Sequence, residues 1–159
     1  MISATYTVHP TPVGDALLVF TDEGLVALHV THDDGDDALA ALSLALRTLP
    51  GRDDVVDGDL RRQLDEHFEG SRRTFEVTLD WRLTRGFTRE ALEAVREIPY
   101  ARVASYGEVA AMAGRARAAR AVGTACATTP WSIVVPVHRV VRSDGSMGEY
   151  GGHPEVKRF

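Results

Sequence analysis

The side chains able to do chemistry are few and widely spaced. Cys126 is the only thiol, which excludes an intramolecular disulfide and a multi-cysteine zinc site. No neighbour in sequence would depress its pKa, so it reads as a small buried hydrophobe rather than a nucleophile. His29 and His32 have H-x-x-H spacing without a cysteine nearby; so incomplete a ligand set reads as solvated hairpin residues, and no metal or cofactor is expected. Pro136-Val137-His138-Arg139 places an imidazole and a guanidinium beside a valine, which has no lone pair to attack with and no proton to exchange. Arg115, Arg117, Arg120, Arg139 and Arg142 crowd the same half of the chain, a pattern suited to a polyanion.

Length and charge frame these residues. The 159 residues suffice for one ordinary domain or two small ones, and 44% hydrophobic with 26% charged residues is globular composition. The net charge of −5 is unevenly divided: residues 1–80 hold 16 acidic and 6 basic side chains, residues 81–159 hold 7 and 12. An acidic module followed by a basic one is the expectation. The N-terminus shows no basic segment and apolar core of a secretory signal. The longest uncharged stretch, Ala121 to Val137, is too short and too interrupted to span a bilayer. A cytoplasmic protein is expected, with no membrane partner.

The elements that must position these residues follow from periodicity. Ala16 to Phe20 and Leu25 to Val30 flank Asp22-Glu23-Gly24, a hairpin. Asp36 or Asp37 is expected to cap a helix through Leu46, ended by Pro50-Gly51. Leu60, Leu64 and Phe68 share one helical face, with Gly70 as the stop, and Phe75, Val77 and Leu79 alternate at strand period. Thr88 is expected to cap a helix carrying Leu92, Val95 and Ile98. Ser105 is expected to cap a short helix, Tyr106 to Ala113, stopped by Gly114, and Arg117 to Ala127 to form a third. The last two read as a helix-turn-helix. Ile133-Val134-Val135 reads as a buried strand. The boundary falls near residues 81–86, giving an α/β domain over 1–82 and a helix-turn-helix domain over 83–159.

Six blocks of the second half, in order and at matching spacing, carry a resemblance. They are Ile98-Pro99-Tyr100, Ser105 to Ala110, Ala119 to Gly123, Ile133 to Val141, Ser143-Asp144-Gly145 and Gly148 to Gly152. Together, over nearly all of residues 87–158, they resemble the O6-alkylguanine-DNA alkyltransferase family. Pro12-Val13-Gly14 and Gln63 to Gly70 agree more loosely. The resemblance implies a fold of two parts: a small RNase H-like α/β domain, then a winged-helix-like helix-turn-helix domain. It implies double-stranded DNA as partner, entered from the minor groove, with O6-alkylguanine as the lesion and downstream repair proteins as further partners. Tyr106 matches the tyrosine that pushes on the flipped nucleotide's phosphate, and Arg120 the finger that fills the gap in the stack. Ala119, Gly123, Arg117 and Arg139 complete the implied DNA-binding set. Val137, Val140, Ser132, Gly148, Tyr150 and Gly151 are the implied base pocket.

Family members carry a reactive cysteine between the proline and histidine of a Pro-Cys-His-Arg motif. Here that position is Val137, beside His138 at the family's base position. Thr129 stands where the family has an asparagine that holds the loop, and the family's relay glutamate would fall beyond Phe159. No catalytic residue is therefore expected. The first reading is a non-catalytic, alkyltransferase-like protein that flips and holds O6-alkylguanine. The alternatives are an active methylated-DNA–protein-cysteine methyltransferase, requiring that Val137 replace a natural cysteine or that Cys126 take over, and a helix-turn-helix regulator without lesion preference. Trp131 reads as a packing residue.

Overall fold

A computed structural model describes residues 3–32 and 35–142. The chain divides into two compact units, Met1–Leu83 and Thr84–Phe159. The first unit is built on strands β1 (Ala4–Thr11), β2 (Gly14–Thr21), β3 (Gly24–Thr31) and β4 (Gly51–Arg52), in the order β3-β2-β1-β4. The first three run antiparallel, and β4 pairs parallel with β1. Helix α1 (Asp36–Leu46) covers one sheet face. Its Leu42 and Leu46 join Leu17, Val19, Val26 and Ala27 in the core. Helix α2 (Gly58–Phe68) serves the opposite face, where His9 Nε2 meets Asp65 Oδ1 at 2.7 Å. The helix expected from Asp36 or Asp37 forms, but Gly35 is its N-cap and both aspartates lie in its first turn. There their charges face the positive end of the helix dipole.

The alternating segment Phe75 to Asp80 does not become a strand. Only Leu79 bridges to Leu25, through Leu25 N–H to Thr78 C=O and Asp80 N–H to Leu25 C=O, both 2.9 Å. Two side chains take the place of a ladder. Gln63, 1% exposed, accepts from the Glu76 N–H (2.8 Å) and donates to its C=O (3.0 Å). Buried Asp80 pairs with Arg82 at 2.6 Å and accepts the Thr21 hydroxyl. Gly24 is what lets this segment approach: its φ is +135°, and a Cβ there would run into the Thr78 carbonyl oxygen.

The second unit packs helices α3 (Gly86–Arg96), α4 (Tyr106–Met112) and α5 (Ala119–Ala127) together, with a two-stranded parallel sheet of β5 (Ala104–Ser105) and β6 (Val140–Val141). Leu92 and Val95 of α3, Val109 and Ala110 of α4, and Val122, Ala125 and Cys126 of α5 are buried. Thr88 is not the cap of α3: the helix starts at Gly86 behind Arg85, and Thr88 sits in its first turn. The third helix begins at Ala119, which leaves Arg117 in the preceding turn. Ile133-Val134-Val135 is buried but is a turn, not a strand. No helix among the described residues is long and apolar enough to cross a membrane.

His29 departs from its reading as a solvated residue. It lies within β3 opposite Leu17, half-buried on the α1 side of the sheet, and burial lowers its pKa below the usual 6.5. The folded state therefore favours neutral imidazole, while the unfolded chain takes up a proton as pH falls through 6.5. Stability contributed at His29 is complete above that value and is lost below it. Thermal melts between about pH 7.5 and about pH 5.5 should show a smaller loss of Tm in His29→Gln than in the parent. In the second unit, Gly114→Ala should cost about 1 kcal/mol in a denaturant titration, because Gly114 has φ +87°.

Candidate functional site

The turn between α4 and α5 is locally determined. Ser105 accepts from the Glu108 N–H (3.0 Å) while Glu108 accepts from the Ser105 N–H (3.1 Å), a complete capping box at the start of α4. At the other end the Gly114 N–H donates to Ala111 C=O (3.0 Å) and the Arg115 N–H to Ala110 C=O (2.9 Å). That pair of bonds is a Schellman motif, and its left-handed residue is glycine. Tyr106 is thereby held, half-buried, at the first position of α4. The Arg115 guanidinium sits 5.6 Å from the Phe87 ring centre.

Helix α5 has two unlike faces. Val122, Ala125 and Cys126 point inward, with Cys126 1% exposed. Arg120 and Ala121 are exposed, Ala119 and Gly123 are half-buried, and Arg117 is exposed just before the helix. A Cβ built on Gly123 would meet nothing within 4 Å. Glycine inside a helix costs about 1 kcal/mol against alanine, and no packing among the described residues asks for it here. A surface without side-chain bulk beside exposed arginines admits the close approach of an anionic backbone.

From Thr129 the chain runs through tight turns into the valine-histidine-arginine segment. The Thr129 hydroxyl, buried, accepts from the Trp131 N–H at 3.1 Å and donates to the Trp131 carbonyl at 3.3 Å. Trp131 is fully buried. The Val134 N–H donates to Ser132 C=O at 2.7 Å across Ile133, whose φ is +69°. This is a γ-turn of the rarer, strained hand, and a β-branched residue seldom occupies that region. The Val137 N–H donates to Val135 C=O at 2.7 Å across Pro136, at φ −80° and ψ 60°, the common inverse form. A single 3₁₀ turn, Val137–Arg139, follows. β6 then pairs Val140 with Ala104 and Val141 with Ser105, which puts the segment beside the start of α4 and Tyr106.

Within this arrangement Val137 and Val140 are fully buried, while Ser132, His138 and Arg139 are half-buried. Arg139 Nη1 donates to the Ile98 carbonyl at 2.7 Å, and the guanidinium lies 5.7 Å from the Tyr100 ring centre. Burial lowers its pKa from the usual guanidinium value. The partners Ile98 and Tyr100 were not assigned to it from sequence, because a bond across 41 residues leaves no local signal. The strained Ile133 likewise had no sequence mark. Gly148, Tyr150 and Gly151 lie outside the described residues. No cluster of three or more potential metal ligands occurs among the described residues.

Comparison with known proteins places this geometry. Residues 86–159 match the family model for the 6-O-methylguanine DNA methyltransferase DNA binding domain. A methylated-DNA–protein-cysteine methyltransferase of Methanosarcina acetivorans is 30% identical over 97% of this chain and 94% of its own length. The constitutive methyltransferase of Bacillus subtilis is 29% identical over 97% and 91%. The crystal structure of Mycobacterium tuberculosis OGT in complex with DNA superposes with a TM-score of 0.81 at 32% identity, covering 97% of this chain and 88% of that one. At this level of identity across nearly the whole length of both chains, the protein belongs to the methylated-DNA–protein-cysteine methyltransferase family.

Proposed function

We propose that this chain binds double-stranded DNA and holds O6-alkylguanine flipped out of the duplex without accepting its alkyl group. The observation that carries the reading is the valine between Pro136 and His138, where the resemblance puts the family's reactive cysteine. Alkyl transfer needs a thiolate lone pair to attack the alkyl carbon as the guanine O6 leaves, and an isopropyl side chain has none. Cys126 does not stand in for it. It is buried on the inner face of α5, with no cation adjacent in sequence to stabilise a thiolate.

The binding apparatus is retained on this reading. Residues 83–159 act as a winged-helix-like module, and residues 1–82 form an RNase H-like domain. The open Gly123 surface, with Ala119, lets α5 approach the minor groove. Tyr106 presses on the phosphate of the target nucleotide, and Arg120 enters the stack. Extrusion costs a few kcal/mol of unstacking, part of which a guanidinium plane returns by stacking on the neighbouring bases. Arg117 supplies a phosphate contact. Arg139 serves the same module from beside the pocket, for which Val137, Val140 and Ser132 supply the wall; the resemblance assigns Gly148, Tyr150 and Gly151, outside the described residues, to the same pocket. The complex is a flag for downstream repair proteins.

Two measurements test this. Excess protein incubated with an O6-methylguanine duplex should show no added methyl in intact mass spectrometry, whereas Val137→Cys should gain one methyl, once. A methyl adduct on the unmodified protein would overturn the proposal. DNA affinity should fall with salt at a log–log slope of roughly −3 to −5. Arg117→Gln should reduce that slope by about one, and Arg120→Ala should weaken lesion binding more than binding to plain duplex. Binding that is flat in salt, or a lesion affinity equal to the control, rejects the lesion-holding role.

A further inference from the structure

The outer side of α5 carries two threonines whose hydroxyl hydrogens are already committed. Thr124 Oγ1 donates to the Arg120 carbonyl at 3.2 Å, and Thr128 Oγ1, at the C-cap, donates to the Thr124 carbonyl at 2.8 Å. A hydroxyl has one hydrogen and two lone pairs. With the hydrogen turned back along the helix, each oxygen offers only acceptor sites outward. The two are not placed alike. At about 100° per residue, Thr124 lies about 40° from Arg120 and Thr128 about 80°, while Ala127 and Gly123 lie about 20° and about 60° to the other side. Thr124 is exposed. Among the helix residues within about 60° of Arg120, which are Gly123, Thr124 and Ala127, it alone has a side chain that hydrogen-bonds.

We infer that Thr124 reads guanine from the minor groove, so that the protein favours a G·C pair near the flipped position. The inference rests on the proposal that α5 enters that groove with Arg120 in the stack. The groove floor presents acceptors at every pair, adenine N3 and thymine O2 among them, and one kind of donor, the guanine N2 amino group. An oxygen with only lone pairs outward is repelled by the acceptors and accepts from that amino group. The same oxygen has nothing to give a phosphate, whose oxygens take donors. Backbone contact therefore suits Arg117 and not Thr124. From Arg120 to Thr124 the helix rises about 6 Å, or about two base-pair steps of about 3.4 Å. The pair read is thus the first or second from the extruded nucleotide. Gly123 and Ala127 have little or no side chain, which lets a short threonine come down to the base edges.

The preference is partial. Rotated outward, the hydroxyl donates to adenine N3 but gives up its bond to the Arg120 carbonyl, so an A·T pair is bound less well rather than refused. One neutral hydrogen bond gained or lost corresponds to about three- to tenfold in affinity. A flipped base fixes the register of α5, and the preference then concerns one or two pairs. On a plain duplex the protein averages over registers, and the preference shows in full when every pair is of one kind.

Removing or adding the N2 amino group tests this while leaving the major-groove edge of guanine as it was. The full chain is titrated with O6-methylguanine duplexes that carry G·C, inosine·C, A·T or 2,6-diaminopurine·T at the two pairs on each side of the lesion. Plain duplexes of G·C or inosine·C pairs throughout give the same comparison without a lesion. The parent should bind the duplexes with the amino group about three- to tenfold tighter than those without it. Thr124→Val and Thr124→Ala, which remove the oxygen, should bring that ratio to within about twofold of one, whereas Thr124→Ser and Thr128→Val should keep it. Melting curves identify any variant that has not folded. Three results overturn the inference: a parent ratio within about twofold of one, a ratio unchanged in the folded Thr124→Val or Thr124→Ala, or a ratio lost in Thr124→Ser as fully as in those two. A ratio that follows Thr124 on plain duplexes, with the lesion bound no better than its control, supports the inference and removes the lesion-holding role.

Discussion

The second unit depends on two residue pairs, Ala104 with Val140 and Ser105 with Val141. Between Ala127 and Val137 the chain forms no helix or strand, yet it buries Trp131, Ile133, Val134 and Val135. Such a loop must satisfy its backbone groups one at a time. What fixes its far end is the short parallel ladder. Ser105 is at once a ladder residue and the N-cap of α4, so one residue sets both where Tyr106 begins and where Val140 ends. A slip of one position would turn Val140 away from the core and would uncouple Tyr106 from the 3₁₀ turn.

The loop itself is held by several small constraints. Thr129 fastens Trp131 through its hydroxyl, and the buried indole then fixes the chain on its way to Ile133. Holding a β-branched residue at φ +69° costs on the order of 1–3 kcal/mol, which is tolerable only where the surroundings over-determine the conformation. Here they do: Ile133 is 6% exposed, and hydrogen bonds close turns on both sides of it. Arg139 closes the far side by tying the 3₁₀ turn to the end of α3 through Ile98. The threonine reaches only two residues ahead, so in this chain the long-range fastening falls to Trp131 and Arg139.

Features with local causes were legible in the sequence. The β2–β3 hairpin, α2 and α4 announce themselves through periodicity, Gly24, Ser105 and Gly114, each acting within a few residues. The failures share one cause, competition from a distant group. Phe75 to Leu79 has strand alternation, but the Gln63 amide occupies the backbone groups of Glu76 that a strand partner would need. Ile133 to Val135 has strand composition, but the run lies between closures at Thr129 and Pro136. At the site, exposed Arg117 and Arg120 and half-buried Tyr106 follow from position on or beside a helix. The full burial of Val137 and the attachment of Arg139 to Ile98 do not. First-strand β1 and the two-residue β4 were also invisible, the latter because two residues carry no period.

The contrast between buried Val137 and the open surface of α5 bears on the proposed reading, in which the rest of the site is kept without the thiol. Fully burying a valine side chain contributes roughly 1.5–3 kcal/mol, so Val137 works as core whether or not a base is ever seated beside it. Gly123, Arg117 and Arg120 have no such justification. The glycine weakens its helix, no neighbour among the described residues lies within 4 Å of where its Cβ would be, and the two arginines are exposed. Residues that add little to folding and are arranged on one open surface are explained by what approaches that surface. On the proposed reading, the reactive position is given over to packing while the contact surface is not. That combination fits a protein that recognises and holds better than one that reacts.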